Sequence, residues 1–164
     1  MQEYRLNRLF NPASGRLLDV AVDHGFPGEL AMLKGIENMP AAMATLVAAG
    51  PDAIQLTVGQ APLLQSAPGR DKPALVLRTD TSNVYADELS DEVYSLLIDD
   101  AVGQAVRLDA ACVVVNLLDV PDRPAVRRAC LENIMRVQAA CAAAGMPLMV
   151  EPLAFSPGSR GGYD

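Results

Sequence analysis

Five short apolar runs, each rich in β-branched residues, limit what this chain can become. They are Leu17–Val22, Ala53–Val58, Ala74–Thr79, Ala111–Leu117 and Pro147–Leu153, and none alternates strictly between polar and apolar residues. A strand with one face in water alternates, whereas a strand covered on both faces by helices reads as a nearly continuous apolar run. The runs recur about 20 to 37 residues apart, the scale of a strand–helix repeat. A parallel sheet is therefore expected.

The segments between the runs carry helix start and stop signals. Asn38 is placed to cap Met39–Ala49, with Pro40 in the first turn and Gly50 as the stop. Ser90 or Asp91 is expected to open a helix over Glu92–Ile98, and Asp100 a second one toward Leu108. The longest helix is expected from Pro124 to Ala144, with Asp122 as its cap and Gly145-Met146-Pro147 as its end. Cys130 and Cys141 lie about three turns apart on that helix, and Cys112 lies in an apolar run. The two helical cysteines are too far apart for a disulfide and without metal-ligand spacing, and the cysteines read as small buried hydrophobes.

Alternating strands and helices leave two leading folds, a closed eight-stranded barrel and an open doubly wound sheet. A nucleotide-binding open sheet normally carries a glycine-rich turn after its first strand, and the segment DHGFPGEL has no G-x-G-x-x-G. In a TIM barrel the functional groups collect at the C-terminal ends of the strands. Here those ends read Asp23-His24, Gln55-Leu56-Thr57, Arg78-Thr79-Asp80, Asn116 and Glu151-Pro152. The expected fold is an α/β incomplete TIM barrel, five βα units of a parallel (β/α)8 barrel. With 164 residues, the chain is short of the roughly 250 that a complete barrel needs. The sheet edges of the first and fifth strands are expected to be unpaired, with apolar surface exposed. The glycine-rich end, Ser156–Asp164, is expected to be an ordinary loop, with backbone N–H capture of an anion as the less favoured reading.

A net charge of −7 excludes more than it identifies. Nucleic acid and anionic membranes both call for clustered Lys and Arg, so neither is an expected partner. No run approaches the ~20 apolar residues of a membrane span, and Met1–Phe10 lacks the apolar core of a signal peptide. A soluble, cytoplasmic protein is expected.

Asp23, Asp80 and Glu151 end odd-numbered strands, and alternate barrel strands send side chains to the same layer. Three acids meeting at the pocket mouth would repel, so at least one should hold a raised pKa and serve in proton transfer. Arg78 shares the face of Asp80 and can offset that repulsion, while Gln55, Thr57 and Asn116 offer uncharged hydrogen bonds to a polyhydroxylated ligand. His24 is a further binding candidate, although an inward Asp23 would turn it outward. As the only histidine it offers no two-histidine metal site, and neither metal nor cofactor is expected. Serine- or thiol-type acyl transfer lacks a motif: there is no G-x-S-x-G, and no loop cysteine beside a histidine.

LLDVAVDHG, GPDAIQLTVGQ, PALVLRTD, AACVVVNLL and MPLMVEPLAF together resemble a group of class I aldolases. That superfamily includes archaeal-type fructose-bisphosphate, tagatose-bisphosphate and deoxyribose-phosphate aldolases. The resemblance covers the whole chain as a single partial barrel domain, residues 1–164. It implies metal-independent C–C bond cleavage or formation in a sugar phosphate through a lysine imine. By that likeness Asp23 acts in proton transfer, Glu151 lines the pocket near the imine, and Asp80 supports them. The family's imine-forming lysine lies on the sixth strand, and its phosphate loops follow the seventh and eighth. Lys72 precedes the third strand and Lys34 sits in the loop after the first, so neither is an expected substitute. The chain alone is therefore expected to be inactive. Two other readings stay open: a binding or assembly module that completes its barrel with a partner chain or as a homo-oligomer, and a barrel isomerase working through acid/base chemistry.

Overall fold

The computed structural model describes residues 2–25, 30–85 and 92–156. Five parallel strands form one sheet: β1 (Asp19–Ala21), β2 (Ala53–Leu56), β3 (Ala74–Arg78), β6 (Cys112–Asp119) and β7 (Leu148–Ala154), in the spatial order β1-β2-β3-β6-β7. Sequential order is kept across the sheet, which curls into a half-barrel. Five α-helices belong to the described residues: α1 (Gln2–Leu6), α2 (Met39–Ala49), α3 (Ala61–Gln65), α4 (Ala101–Arg107) and α5 (Pro124–Ala144). The five expected strands are all present, within a few residues of their expected bounds.

Two apolar layers explain why the strand sequences do not alternate. On the outer face Ile54, Leu56, Leu75, Leu77 and Val113 pack with Met43 of α2, Leu64 of α3, Ala105 of α4, and Val137 and Cys141 of α5. Inside the curl Ala53, Ala74, Val76, Cys112 and Val114 pack with Leu9, Leu6, Leu17 and Met149. Each fully buried aliphatic side chain contributes about 1.5–3 kcal/mol. Leu6 of α1 and the following Leu9 close the floor of this inner space, and Arg5 fastens them by donating from Nη1 to the Ala110 carbonyl at 2.6 Å.

Helix ends follow the expected signals in part. The Asn38 side chain accepts from the Ala41 N–H at 3.2 Å, and α2 stops at Gly50, whose φ of 66° is left-handed. At the end of α5 Gly145 plays the same part with φ 60°. Asp122 does not cap α5: it takes a left-handed φ of 58° in the preceding turn, which leaves Arg123 as N-cap without a side-chain bond. Asp100 does open α4, but its own φ is 48° and its carboxylate pairs with Arg107 at 2.9 Å instead of capping. The buried stripe of α5 is Val126, Cys130, Asn133, Val137 and Cys141.

The expected helix over Glu92–Ile98 is absent. Ser90 and Asp91 lie outside the described residues, and Ser95–Leu97 form strand β5, antiparallel to β4 (Asp80–Ser82). Tertiary pairing decides here, because Asn133 on α5 donates from Nδ2 to the Ser95 carbonyl at 3.2 Å and fixes that segment extended. The glycine-rich reading also falls mostly beyond the described residues, at 157–164. β1 and β7 have unpaired outer edges among the described residues, and Leu18 (60% exposed) and Val150 (39%) carry apolar surface there. No helix among the described residues is long and apolar enough to cross a membrane.

Candidate active site

β3 sends Ala74 and Val76 into the inner layer, so strand alternation points Arg78 the same way, at the C-terminal rim. Its side chain is only 3% exposed. Three carboxylates surround the guanidinium. Nε donates to Oδ2 of Asp23 at 2.6 Å, Nη1 donates to Oδ1 of Asp80 at 3.3 Å, and Nη2 donates to Oε2 of Glu151. Asp23 follows β1, Asp80 begins β4 and Glu151 lies in β7, so one side chain gathers groups from across the half-barrel.

Neutral groups complete the cluster. Gln55 of β2 donates from Nε2 to the Asp23 oxygen that Arg78 also holds, at 3.0 Å. The Asn116 backbone N–H donates to Oδ2 of Asp80 at 3.0 Å. The Asn116 carboxamide is buried beside Asp80 and favours its charged form, yet neither polar atom has a partner in regular hydrogen-bond geometry. A satisfied structural amide would normally have one.

Burial and charge act in opposite directions on these groups. Burial alone would lower the Arg78 pKa, but the charges of Asp23 and Asp80 and the bonds to Glu151 and Asp23 raise it above its ordinary value. Burial raises Asp80, and Arg78 and the Asn116 N–H only partly offset that. Asp19, on β1, is pushed up to about 6, first by burial and then by the charges of Asp23 and Glu151, with Arg78 opposing. The Tyr85 phenol is raised as well, by burial and by Glu151. Its ring meets Phe155 edge-on, with centroids 5.3 Å apart.

Of the residues expected in the site, Asp23, Gln55, Arg78, Asp80, Asn116 and Glu151 converge. Thr57 and His24 make no side-chain hydrogen bond to this cluster, and His24 keeps a buried Nδ1 without a partner. Sequence reasoning missed Asp19 and Tyr85. Asp19 had a readable signal, a lone acid inside an apolar strand with the same parity as Asp23; Tyr85 lies in a loop and had none. Both lysines are elsewhere. Lys72 donates to the carbonyls of Gln65 and Ala67, at 2.8 and 3.4 Å, below the start of β3, and Lys34 is exposed beyond the 3-10 turn Leu30–Leu33.

Residues 17–159, which contain every strand of the described residues and the whole cluster, match the DeoC/LacD family aldolase. The chain belongs to the DeoC/LacD aldolase family. An uncharacterized aldolase of Saccharolobus solfataricus is 33% identical to this DeoC/LacD chain over 154 residues, covering 92% of the chain and 55% of the relative. The 3-hydroxy-5-phosphonooxypentane-2,4-dione thiolase of Escherichia coli K12 is 32% identical over 148 residues, covering 88% of the chain and 46% of the thiolase. A crystal structure from Corynebacterium glutamicum superposes with a TM-score of 0.73 at 19% identity, covering 99% of this chain and 58% of that one. This likeness extends the half-barrel fold to a longer protein. The DeoC/LacD chain spans about half the length of the curated relatives it matches.

Proposed function

We propose that this chain supplies the first five strands of a metal-independent class I aldolase acting on a sugar phosphate or a related phosphorylated keto compound. The observation that carries the reading is the buried Arg78 that pairs Asp23 and Glu151 at the C-terminal rim of the half-barrel. Aldol cleavage needs a base for a hydroxyl proton and an electron sink for the carbanion that follows. Asp23 is the base in this reading. Arg78 and Gln55 fix its carboxylate at the rim of the half-barrel. Glu151, half-exposed beside the same guanidinium, lines the place where the sink would stand. The sink itself is a lysine imine, and by family likeness that lysine belongs to a strand beyond the five present here. Asp80, pinned between Arg78 and Asn116, supports the guanidinium.

The acids outnumber the single cation of this cluster, so a phosphate group would be repelled from it. Phosphate recognition is accordingly assigned to the remaining strands, and the hydroxyl and carbonyl end of the substrate to these five. The relative named as a thiolase favours a phosphorylated diketone as a second probe beside ketose phosphates. The test is borohydride trapping followed by mass spectrometry. This chain with dihydroxyacetone phosphate should keep its mass. A continuous chain whose reading frame runs on past Asp164 to a lysine-bearing strand should gain one reduced adduct. An adduct on Lys34 would overturn the assignment. Activity of the longer chain that borohydride leaves intact would move the reading to an acid/base isomerase that depends on Glu151.

A further inference from the structure

A cleft of about 460 Å³ opens below the N-terminal ends of β2 and β3. Ala74 borders it and Arg78 lies at the other end of the same strand, about 13 Å away along β3. The cleft is therefore separate from the acid cluster at the rim. Its polar lining is Arg8, Asp52, Gln65, Arg70, Lys72 and Asp109. Two of these neutralise one another: Arg8 donates from Nη1 to Oδ1 of Asp109 at 2.9 Å and from Nη2 to Oδ2 at 3.1 Å. Gln65 commits Nε2 to the Leu108 carbonyl at 2.5 Å. Arg70 makes no side-chain hydrogen bond or ion pair among the described residues. Lys72 is anchored to the Gln65 and Ala67 carbonyls at 2.8 and 3.4 Å, has no carboxylate partner among the described residues, and keeps a third N–H. Asp71, between these two cations in sequence, is exposed and does not line the cleft. Asp52 is the opposing acid. Its Oδ2 accepts the Leu18 N–H at 2.8 Å, and no cation pairs with it among the described residues.

We propose that this cleft binds a phosphate monoester, with Arg70 and Lys72 holding the phosphate. Two uncommitted cations face one cavity in a chain whose net charge is −7. A doubly charged head answers both, whereas a carboxylate would leave one uncompensated. Phosphate oxygens accept equally from a planar guanidinium and from an ammonium. The ammonium of Lys72 is already fixed by two carbonyls, so little freedom is lost when an anion meets it. Pro73, Ala74 and Leu75 add an apolar wall that a bare phosphate would leave uncovered. The volume lies in the range of small-molecule sites, about 300–1,000 Å³. An ester with a small organic body fits both the charge and the space. This site does not depend on the aldolase reading.

The test is amide NMR of this chain in chloride buffer at constant ionic strength. One arm is titrated with glycerol 3-phosphate and the other with inorganic phosphate. The signals of Gln65 and of the 69–72 turn should move and saturate, at a lower midpoint for the ester. Arg70→Gln alters an exposed side chain that holds nothing else and should raise the midpoint about threefold or more. Asp52→Asn keeps an acceptor for the Leu18 N–H while removing the opposing charge, so it should lower the midpoint. Shifts that grow without saturating, or that added chloride reproduces, overturn the proposal. A midpoint that Arg70→Gln leaves in place does the same. Equal midpoints in the two arms would overturn the ester and leave free phosphate as the ligand. Failure of the borohydride test would leave these signals as they are, so the two readings fail separately.

Discussion

Arg78 stands between buried acids that cannot share the interior without it. Replacing it by methionine keeps the volume but leaves Asp23 and Asp80, each nearly inaccessible, facing one another uncompensated. Breaking a buried pair in this way costs about 3–5 kcal/mol. The urea midpoint of Arg78→Met should fall accordingly, and Arg78→Lys should recover less than half, because an ammonium cannot serve three acids from one plane. Asp19 gives a prediction of opposite sense. Its carboxyl is raised to about 6, so the folded chain binds that proton more tightly than the unfolded chain does. Stability from this group is full below the ordinary carboxylate range and is lost as pH rises through about 6. For a partly exposed group the loss is about 1–2 kcal/mol. Asp19→Asn should therefore gain stability over the parent at pH 7.5 but not at pH 4, read as the difference in urea midpoints. Strand-end polarity was enough to find Asp23, Gln55, Arg78, Asp80, Asn116 and Glu151, because parity and rim position follow from the apolar runs. Asp19 escaped because it sits a layer deeper, where a strand is expected to be apolar.

At the scale of elements, parallel strands and long helices were legible because their signals are local and repeated. β5 was not. Glu92–Ile98 has a helix-like opening, yet Ser95 pairs with Ser82 and is held by Asn133, contacts that no local window contains. The same local-versus-tertiary distinction separates two glycines. Gly50 ends α2 at φ 66° with open space around it, so Gly50→Ala meets backbone strain alone and should lower stability by about 1 kcal/mol. Gly103 has no unusual φ, but an added Cβ would stand 2.3 Å from the Asp100 carboxylate. That side chain is exposed and free to swing away, at the expense of its surface pair with Arg107, worth at most about 1 kcal/mol. Alanine regains a similar amount in helix propensity. Thermal unfolding should show Gly50→Ala melting about 3 °C lower and Gly103→Ala close to the parent.

The whole molecule is a half-barrel whose outer edges, at β1 and β7, have no partner strand among the described residues. Unpaired edges with apolar flanks such as Leu18 and Val150 are templates for pairing with another chain. The chain on its own should run in size-exclusion chromatography as a species larger than a monomer that shrinks on dilution. Val150→Lys, which puts a charge on the β7 rim, should shift it toward the monomer. The length of the relatives points the same way, since a barrel closes only when both rims are paired. The position of Arg78 between those rims has a mechanical meaning. Asp23 continues one terminal strand and Glu151 belongs to the other, and a single guanidinium grips both. It spans the open arc like a bowstring, tying together two rims that no backbone hydrogen bond joins among the described residues. Before any effect of an Arg78 variant on catalysis is read as chemistry, its half-barrel would have to be checked for a slackened arc by its radius of gyration in solution scattering.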